Sequence, residues 1–201
     1  MHMSIDSTRV RLSLNSLEHR RRWSALIVVC MGVLLVVLDT TALNVALPFI
    51  REDLGFSDRA LVWVVNAYLL AFAGLLLLAG RLGDLYGRKR LFLIGIAFFT
   101  LASFACGVSI SSGMLLVARA AQGMGGAVVL PVALSLIMTL FPEAGQRAKA
   151  LGTYSCVCAG GGSLGLLMGG VLTDALTWRS VFLINVPAGL AAYVLCLLRL
   201  L

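Results

Sequence analysis

The sequence predicts an all-α membrane protein built from six transmembrane helices. Three observations carry that prediction. Of 201 residues, 60% are hydrophobic and only 12% are charged, with a mean hydropathy of +1.00. The apolar residues fall into six runs, each near the roughly 20 residues that a bilayer span needs. The Lys and Arg between those runs collect on one side. A soluble domain is about 45–50% apolar and about 25% charged, so a water-soluble enzyme of this composition is excluded. The net charge of +7 does not point to nucleic acid. No Lys/Arg patch alternates with aromatics, and no zinc or helix-turn-helix signature is present. In a membrane chain such surplus sets orientation.

The elements follow in order. Residues 1–23 form a polar, basic tail with Arg9, Arg11, Arg20, Arg21 and Arg22. With the apolar run 25–38 they resemble a signal peptide. The run continues past Asp39 to Pro48, however, and five more follow, which favours a retained first helix. The expected organisation is therefore a cytoplasmic tail, 1–23, and a six-helix bundle, 24–201. Its spans are placed near 24–49, 60–79, 91–109, 113–140, 150–172 and 180–200. The separators are charged at 51–59, charged and Gly-rich at 80–90, short and polar at 109–113, Pro- and Gly-bearing at 141–149, and polar at 173–179. With the N-terminus inside, twelve Lys/Arg are cytoplasmic and three (Arg51, Arg59, Arg179) are outside. This asymmetry predicts a multi-pass plasma membrane protein with both termini cytoplasmic. Gly80-x-Leu82-x-Asp84 and Gly170-x-Leu172-x-Asp174 echo each other three helices apart, the trace expected of a three-plus-three inverted repeat.

Two ionisable residues sit at membrane depth, where an isolated charge costs on the order of 2.5–3.5 kcal/mol. At about 1.5 Å per residue, Asp39 lies about 8 Å and Arg119 about 9 Å below the outer face of a roughly 30 Å hydrocarbon core. The pair can neutralise each other. It can also act as a proton switch, with protonation of Asp39 freeing Arg119; a static ion pair or two snorkelling residues would leave the same trace. Arg119, Gln122, Gly123 and Gly126 share one stripe of helix 4. Thr40, Asn44, Asn66 and Gln122 are the candidate cavity or substrate-contacting groups, or else simply interhelical hydrogen-bonding partners. In helix 5, Gly152, Gly161, Gly165, Gly169 and Gly170 offer a close-packing face. In GRLGDLYGRKR (80–90), Gly80 and Gly87 turn the chain beside Asp84, Arg88 and Lys89, either as a solvated loop or as a charge latch. The five cysteines all lie in apolar runs, which reads as packing, with no metal site.

Taken together these residues resemble the major facilitator superfamily, and within it the fourteen-helix drug:proton antiporter branch. The resemblance covers residues from about 24 to 200. LDTTALNVALP (38–48) is similar to the branch's helix 1 motif, and GRLGDLYGRKR (80–90) to the superfamily's helix 2–3 signature. Leu115, Arg119, Gln122, Gly123 and Gly125 match the helix 4 motif, and WRSVFLINVPAG (178–189) looks like the start of helix 6. The helix 5 antiporter motif is matched at its glycines, with Leu166 where the family has proline. Leu85 and Ser180 are smaller departures.

What the resemblance implies is one half of a major facilitator fold, here the N-terminal six helices of a proton-coupled exporter of lipophilic drugs or other small molecules. Asp39 would titrate and Arg119 would modulate its proton. Gly80, Asp84, Gly87, Arg88 and Lys89 would serve the cytoplasmic gate. No cofactor is expected, the proton being the coupling ion, and no GxxxxGK[ST] loop for ATP is present. The expected partners are the bilayer, a small-molecule substrate, and a C-terminal half or a second copy that would cover Asp39, Asn44, Arg119 and Gln122 and pack on the helix 5 glycines. The chain stops after six helices, which reads as natural truncation or a partial gene product. A competing reading is a membrane remnant that moves nothing. A membrane-embedded enzyme is disfavoured, because His2 and His19 lie in the tail and no catalytic set sits in the spans.

Overall fold

A computed structural model describes the backbone of residues 3–200 and the side chains of residues 19–198. Among the described residues helix is the only regular secondary structure, and six helical stretches are long and apolar enough to cross a membrane. His2 and the side chains of Arg9, Arg11 and Arg199 lie outside the described residues. The elements are α1 (Met3–Leu54), α2 (Asp58–Tyr86), α3 (Arg88–Gly107), α4 (Ser112–Leu140), α5 (Ala144–Ala175), α6 (Trp178–Leu183) and α7 (Asn185–Leu200). The last two together form the sixth span, Trp178–Leu198.

Local chemistry explains the boundaries. Ser57 and Ser111 cap α2 and α4, their hydroxyls accepting from the backbone N–H groups of Ala60 and Met114. Gly55 (φ 64°) and Gly87 (φ 87°) take left-handed conformations that side-chain-bearing residues avoid. The sixth span breaks at Ile184 because Pro187 has no N–H to offer the Leu183 carbonyl.

Three boundaries differ clearly from the sequence expectation, one of them the start of α5 at Ala144 and not near 150. Gly80–Tyr86 is not loop but the last two turns of α2, and the chain reverses at Gly87 alone. Charged and glycine residues outside the hydrocarbon do not stop a helix that has neighbours to lean on. The first helix likewise starts well before residue 24.

The packing pattern maps onto itself when the first three spans are exchanged with the last three. α1 lies on α5 as α4 lies on α2, α3 meets α4 as α7 meets α1, and α1 and α4 meet at the centre. That is the signature of the inverted repeat. α2 and α5 bury the least of their length.

Close approaches rest on glycine. A Cβ at Gly123 would strike the Tyr68 carbonyl of α2, and one at Gly125 would come 2.7 Å from the Phe99 nitrogen of α3. On α5, Gly161, Gly165 and Gly169 press against Leu34, Thr41 and Ala42 of α1. The helix 5 stripe is thus occupied inside the chain and does not await a partner. Gly152 and Gly170 have nothing within 4 Å and take no part in close packing. α5 runs unbroken past Leu166, which is exposed.

Two apolar cores result. One, around Val29, Val33, Phe92, Ile96 and Val132, fills the half nearer the α2–α3 turn. The other, around Ala46, Ile50, Leu115, Trp178 and Phe182, fills the opposite half. Between them lies a polar layer.

Candidate functional site

The polar layer is assembled from five of the six spans. α1 supplies Asp39, α2 the Val64 carbonyl and Tyr68, α3 Ser103 and Cys106, α4 Arg119 and Gln122, and the α6–α7 break Asn185. Asp39, Ser103, Arg119, Gln122 and Asn185 are each no more than 2% exposed.

Arg119 Nη1 donates to Asp39 Oδ2 at 2.7 Å and to Gln122 Oε1 at 2.6 Å, while its Nε donates to the Val64 carbonyl at 3.2 Å. The matching depths of Asp39 and Arg119 in the sequence thus correspond to direct contact. Asp39 Oδ1 accepts from Gln122 Nε2 at 2.7 Å and from Asn185 Nδ2 at 2.9 Å. Both amides also donate to Ser103 Oγ, at 3.2 and 3.0 Å, and Ser103 donates to the Phe182 carbonyl at 3.0 Å. Cys106 Sγ donates to Gln122 Oε1.

The guanidinium carbon lies 4.5 Å from the Tyr68 ring centroid and 5.7 Å from that of Phe182, within the reach of cation–π attraction. Two charges removed from water are tolerable only when paired and hydrogen-bonded, and here both are, while the Tyr68 hydroxyl of the same layer is buried without a partner. Chemically it is a carboxylate whose charge is balanced by one fixed cation, in a site two apolar cores separate from both aqueous faces.

The expectation that Asp39, Arg119 and Gln122 would face lipid in a lone half is overturned. They are enclosed by the chain's own helices. Thr40 instead bonds the Val36 and Val37 carbonyls of its own helix, and Asn44, exposed, bonds the Thr40 carbonyl. Asn44 lines a cavity of about 510 Å³ with Leu47, Pro48, Arg51, Glu52 and Leu61. Asn66 is half-buried on α2, outside the network.

Two ion-pair clusters flank the layer. At the α2–α3 turn, Arg88 reaches Asp84 at 2.9 Å, the Ser135 carbonyl at 3.3 Å and Thr139 Oγ1 at 2.5 Å. It thereby ties α2, α3 and α4 beside Gly87. Lys89 is exposed, and Gly80 has open space around it. At the other end Arg179 pairs with Asp53 at 2.7 Å and donates to the Ser109 carbonyl at 3.1 Å, while Trp178 Nε1 donates to the same Asp53 oxygen.

Sequence reasoning missed Asn185, Ser103, Tyr68 and Cys106. A signal existed for Asn185: an amide two residues before a proline inside an apolar span must find a partner. Ser103 and Cys106 carried none, since small polar residues in spans are ordinary.

This is the architecture of one half of a secondary transporter, and comparison with known proteins agrees. A profile of the Major Facilitator Superfamily matches residues 29–201, and the chain belongs to that family. It is 50% identical over 176 residues to the puromycin resistance protein pur8 of Streptomyces alboniger, covering 88% of this chain and 35% of that protein. It is 50% identical over 167 residues to the cephamycin export protein CmcT of Amycolatopsis lactamdurans, covering 83% of this chain and 34% of that one. The chain thus spans about a third of the length of these curated relatives. A crystal structure of a bacterial homologue of the human lysosomal transporter Spinster, inward-facing and unoccupied, superposes with a TM-score of 0.72 at 22% identity. That match covers 90% of this chain and 42% of the other, and it supports the fold.

Proposed function

We propose that this chain forms the proton-carrying half of an exporter of antibiotics or other lipophilic small molecules in the plasma membrane. Export is coupled to proton influx, and no other cofactor enters the scheme. The observation that carries the reading is the buried Asp39–Arg119 pair at 2.7 Å, closed off by Gln122 and Asn185. A membrane segment has no structural need for an ion pair in its middle. A proton-driven cycle needs a carboxylate that loses its charge away from bulk water. Asp39 is the carrier and Arg119 the fixed counter-charge. The Asp84–Arg88 cluster serves the cytoplasmic gate, and Asn44 with its cavity is the substrate-side candidate. The names of the relatives, a resistance protein and an export protein, support the substrate class.

Alternating access needs two bundles around a shared site, and one bundle provides one wall. The chain by itself is therefore expected to export nothing. Cells lacking their own exporters, expressing the chain alone, should be as puromycin-sensitive as controls. Co-expression with the remaining two thirds of pur8 should restore resistance, and an uncoupler should remove it. Export by the chain alone, shown monomeric by crosslinking, would refute the half-transporter reading.

The charge count places both termini and 80–90 in the cytoplasm and 51–59 outside. With the native cysteines replaced, a cysteine at position 57 should react with an impermeant reagent added to intact cells, and one at position 86 only after lysis. The opposite pattern would invert the topology.

A further inference from the structure

Asn185 begins α7, directly after the break at Ile184, and is 2% exposed. Asp39 meets only donors: Arg119 on Oδ2, and Gln122 and Asn185 on Oδ1. An ionised carboxylate only accepts, so each amide beside it must present its NH2 group. Adding a proton turns one carboxylate oxygen into an O–H donor. In this arrangement that O–H faces another donor, and a buried donor left without an acceptor is unstable.

Among the groups that already bond Asp39, the acceptor must come from one that can turn over. Gln122 is locked, because Nε2 donates to Asp39 and Ser103 while Oε1 accepts from Arg119 and Cys106. Ser103 Oγ already receives two amides and donates to the Phe182 carbonyl. Asn185 uses only its NH2 group, which serves both Asp39 and Ser103. Among the described residues its Oδ1 accepts no hydrogen bond. Half a turn about χ2 exchanges the two ends at the loss of those two bonds, so the NH2 group must then find its acceptor on the side Oδ1 now occupies.

We propose that Asn185 is a positioning residue that reads the protonation state of Asp39. It presents NH2 to the carboxylate and C=O to the acid, and in turning it lets go of Ser103 at the α6–α7 break. The step is balanced. A hydronium ion gives its proton to Asp39, one O–H bond forms, water is left, and the net charge of the site rises by one. Arg119 keeps its seat on the Val64 carbonyl, Gln122 Oε1 and the Tyr68 ring. The titratable groups facing Asp39 are Arg119 from α4, Tyr68 from α2 and Cys106 from α3. α5 meets this part of α1 through Gly161, Gly165 and Gly169, and the α6–α7 break brings Asn185 and Phe182. α7 itself stays on α3, where Gly189 abuts Thr100, so the release is confined to the break.

The inference rests on Asp39 as proton carrier, and its test separates the two claims. Infrared difference spectra between high and low pH are recorded on the chain in lipid nanodiscs. The expected result is a protonated-carboxyl band, lost in Asp39→Asn, at the position of a hydrogen-bonded acid. In Asn185→Leu that band should shift to the position of an acid without an acceptor. A band unmoved by Asn185→Leu overturns the Asn185 proposal and leaves the carrier intact. No Asp39 band in the wild-type chain removes the carrier, and the proposal with it. Should Asn185→Leu fail to fold, wild-type chain labelled with carbonyl-13C asparagine decides. An asparagine side-chain carbonyl band must change over the same pH interval as the Asp39 band, and its constancy overturns the proposal.

Discussion

With the remaining two thirds of pur8 co-expressed, Asp39→Asn stops proton-driven export while the chain still inserts. The amide keeps the size of the carboxyl and cannot release a proton, and its own NH2 group meets Arg119, Gln122 and Asn185, all of them donors to this position. Removing one member of a buried ion pair costs about 3–5 kcal/mol, because the other charge is left unbalanced. Both Asp39→Asn and Arg119→Met are therefore expected to lower the unfolding midpoint in detergent clearly. The double variant should recover much of that loss, since replacing both charges of a buried pair is often neutral or stabilising. Export should stay at zero in all three. Additive losses in the double variant would mean that the two residues do not act as a pair.

Gly123→Ala unlatches α2 from α4. The added methyl would enter the space of the Tyr68 backbone carbonyl, and backbone cannot rotate aside as a side chain can. Overpacking of this kind costs about 1–3 kcal/mol, and more where backbone must move. Displacing Tyr68 also removes the ring beneath Arg119, so stability and the site fail together. Gly152→Ala is the contrast. It has nothing within 4 Å, and alanine in a helix is favoured over glycine by roughly 0.5–1 kcal/mol. Thermal unfolding of the two variants side by side should show opposite shifts. Equal shifts would contradict the packing described for α4.

Much of the architecture was legible because bilayer physics writes it coarsely into sequence. Six apolar runs give six spans, and the depth calculation for Asp39 and Arg119 anticipated their contact. The rest was hidden for identifiable reasons. Whether Gly80–Tyr86 continues α2 depends on support from neighbours and not on composition. Gly152 and Gly161 look alike in the chain and differ only in what faces them. The enclosure of the polar layer could not be read from one helix at a time. Asn185 lies 146 residues from Asp39, and Ser103 is one of many small residues in apolar spans. Both acquire meaning only when five spans converge.

The central claim is that Asp39 carries the proton that drives export, and proton flux tests it most directly. Inverted membrane vesicles containing the chain together with the remaining two thirds of pur8 are given an inward-acid gradient, with a pH-sensitive dye enclosed. Adding puromycin should make wild-type vesicles lose luminal protons as drug is taken up, and Asp39→Asn vesicles should show neither movement. Drug uptake with undiminished proton release in the Asp39→Asn vesicles would contradict the account.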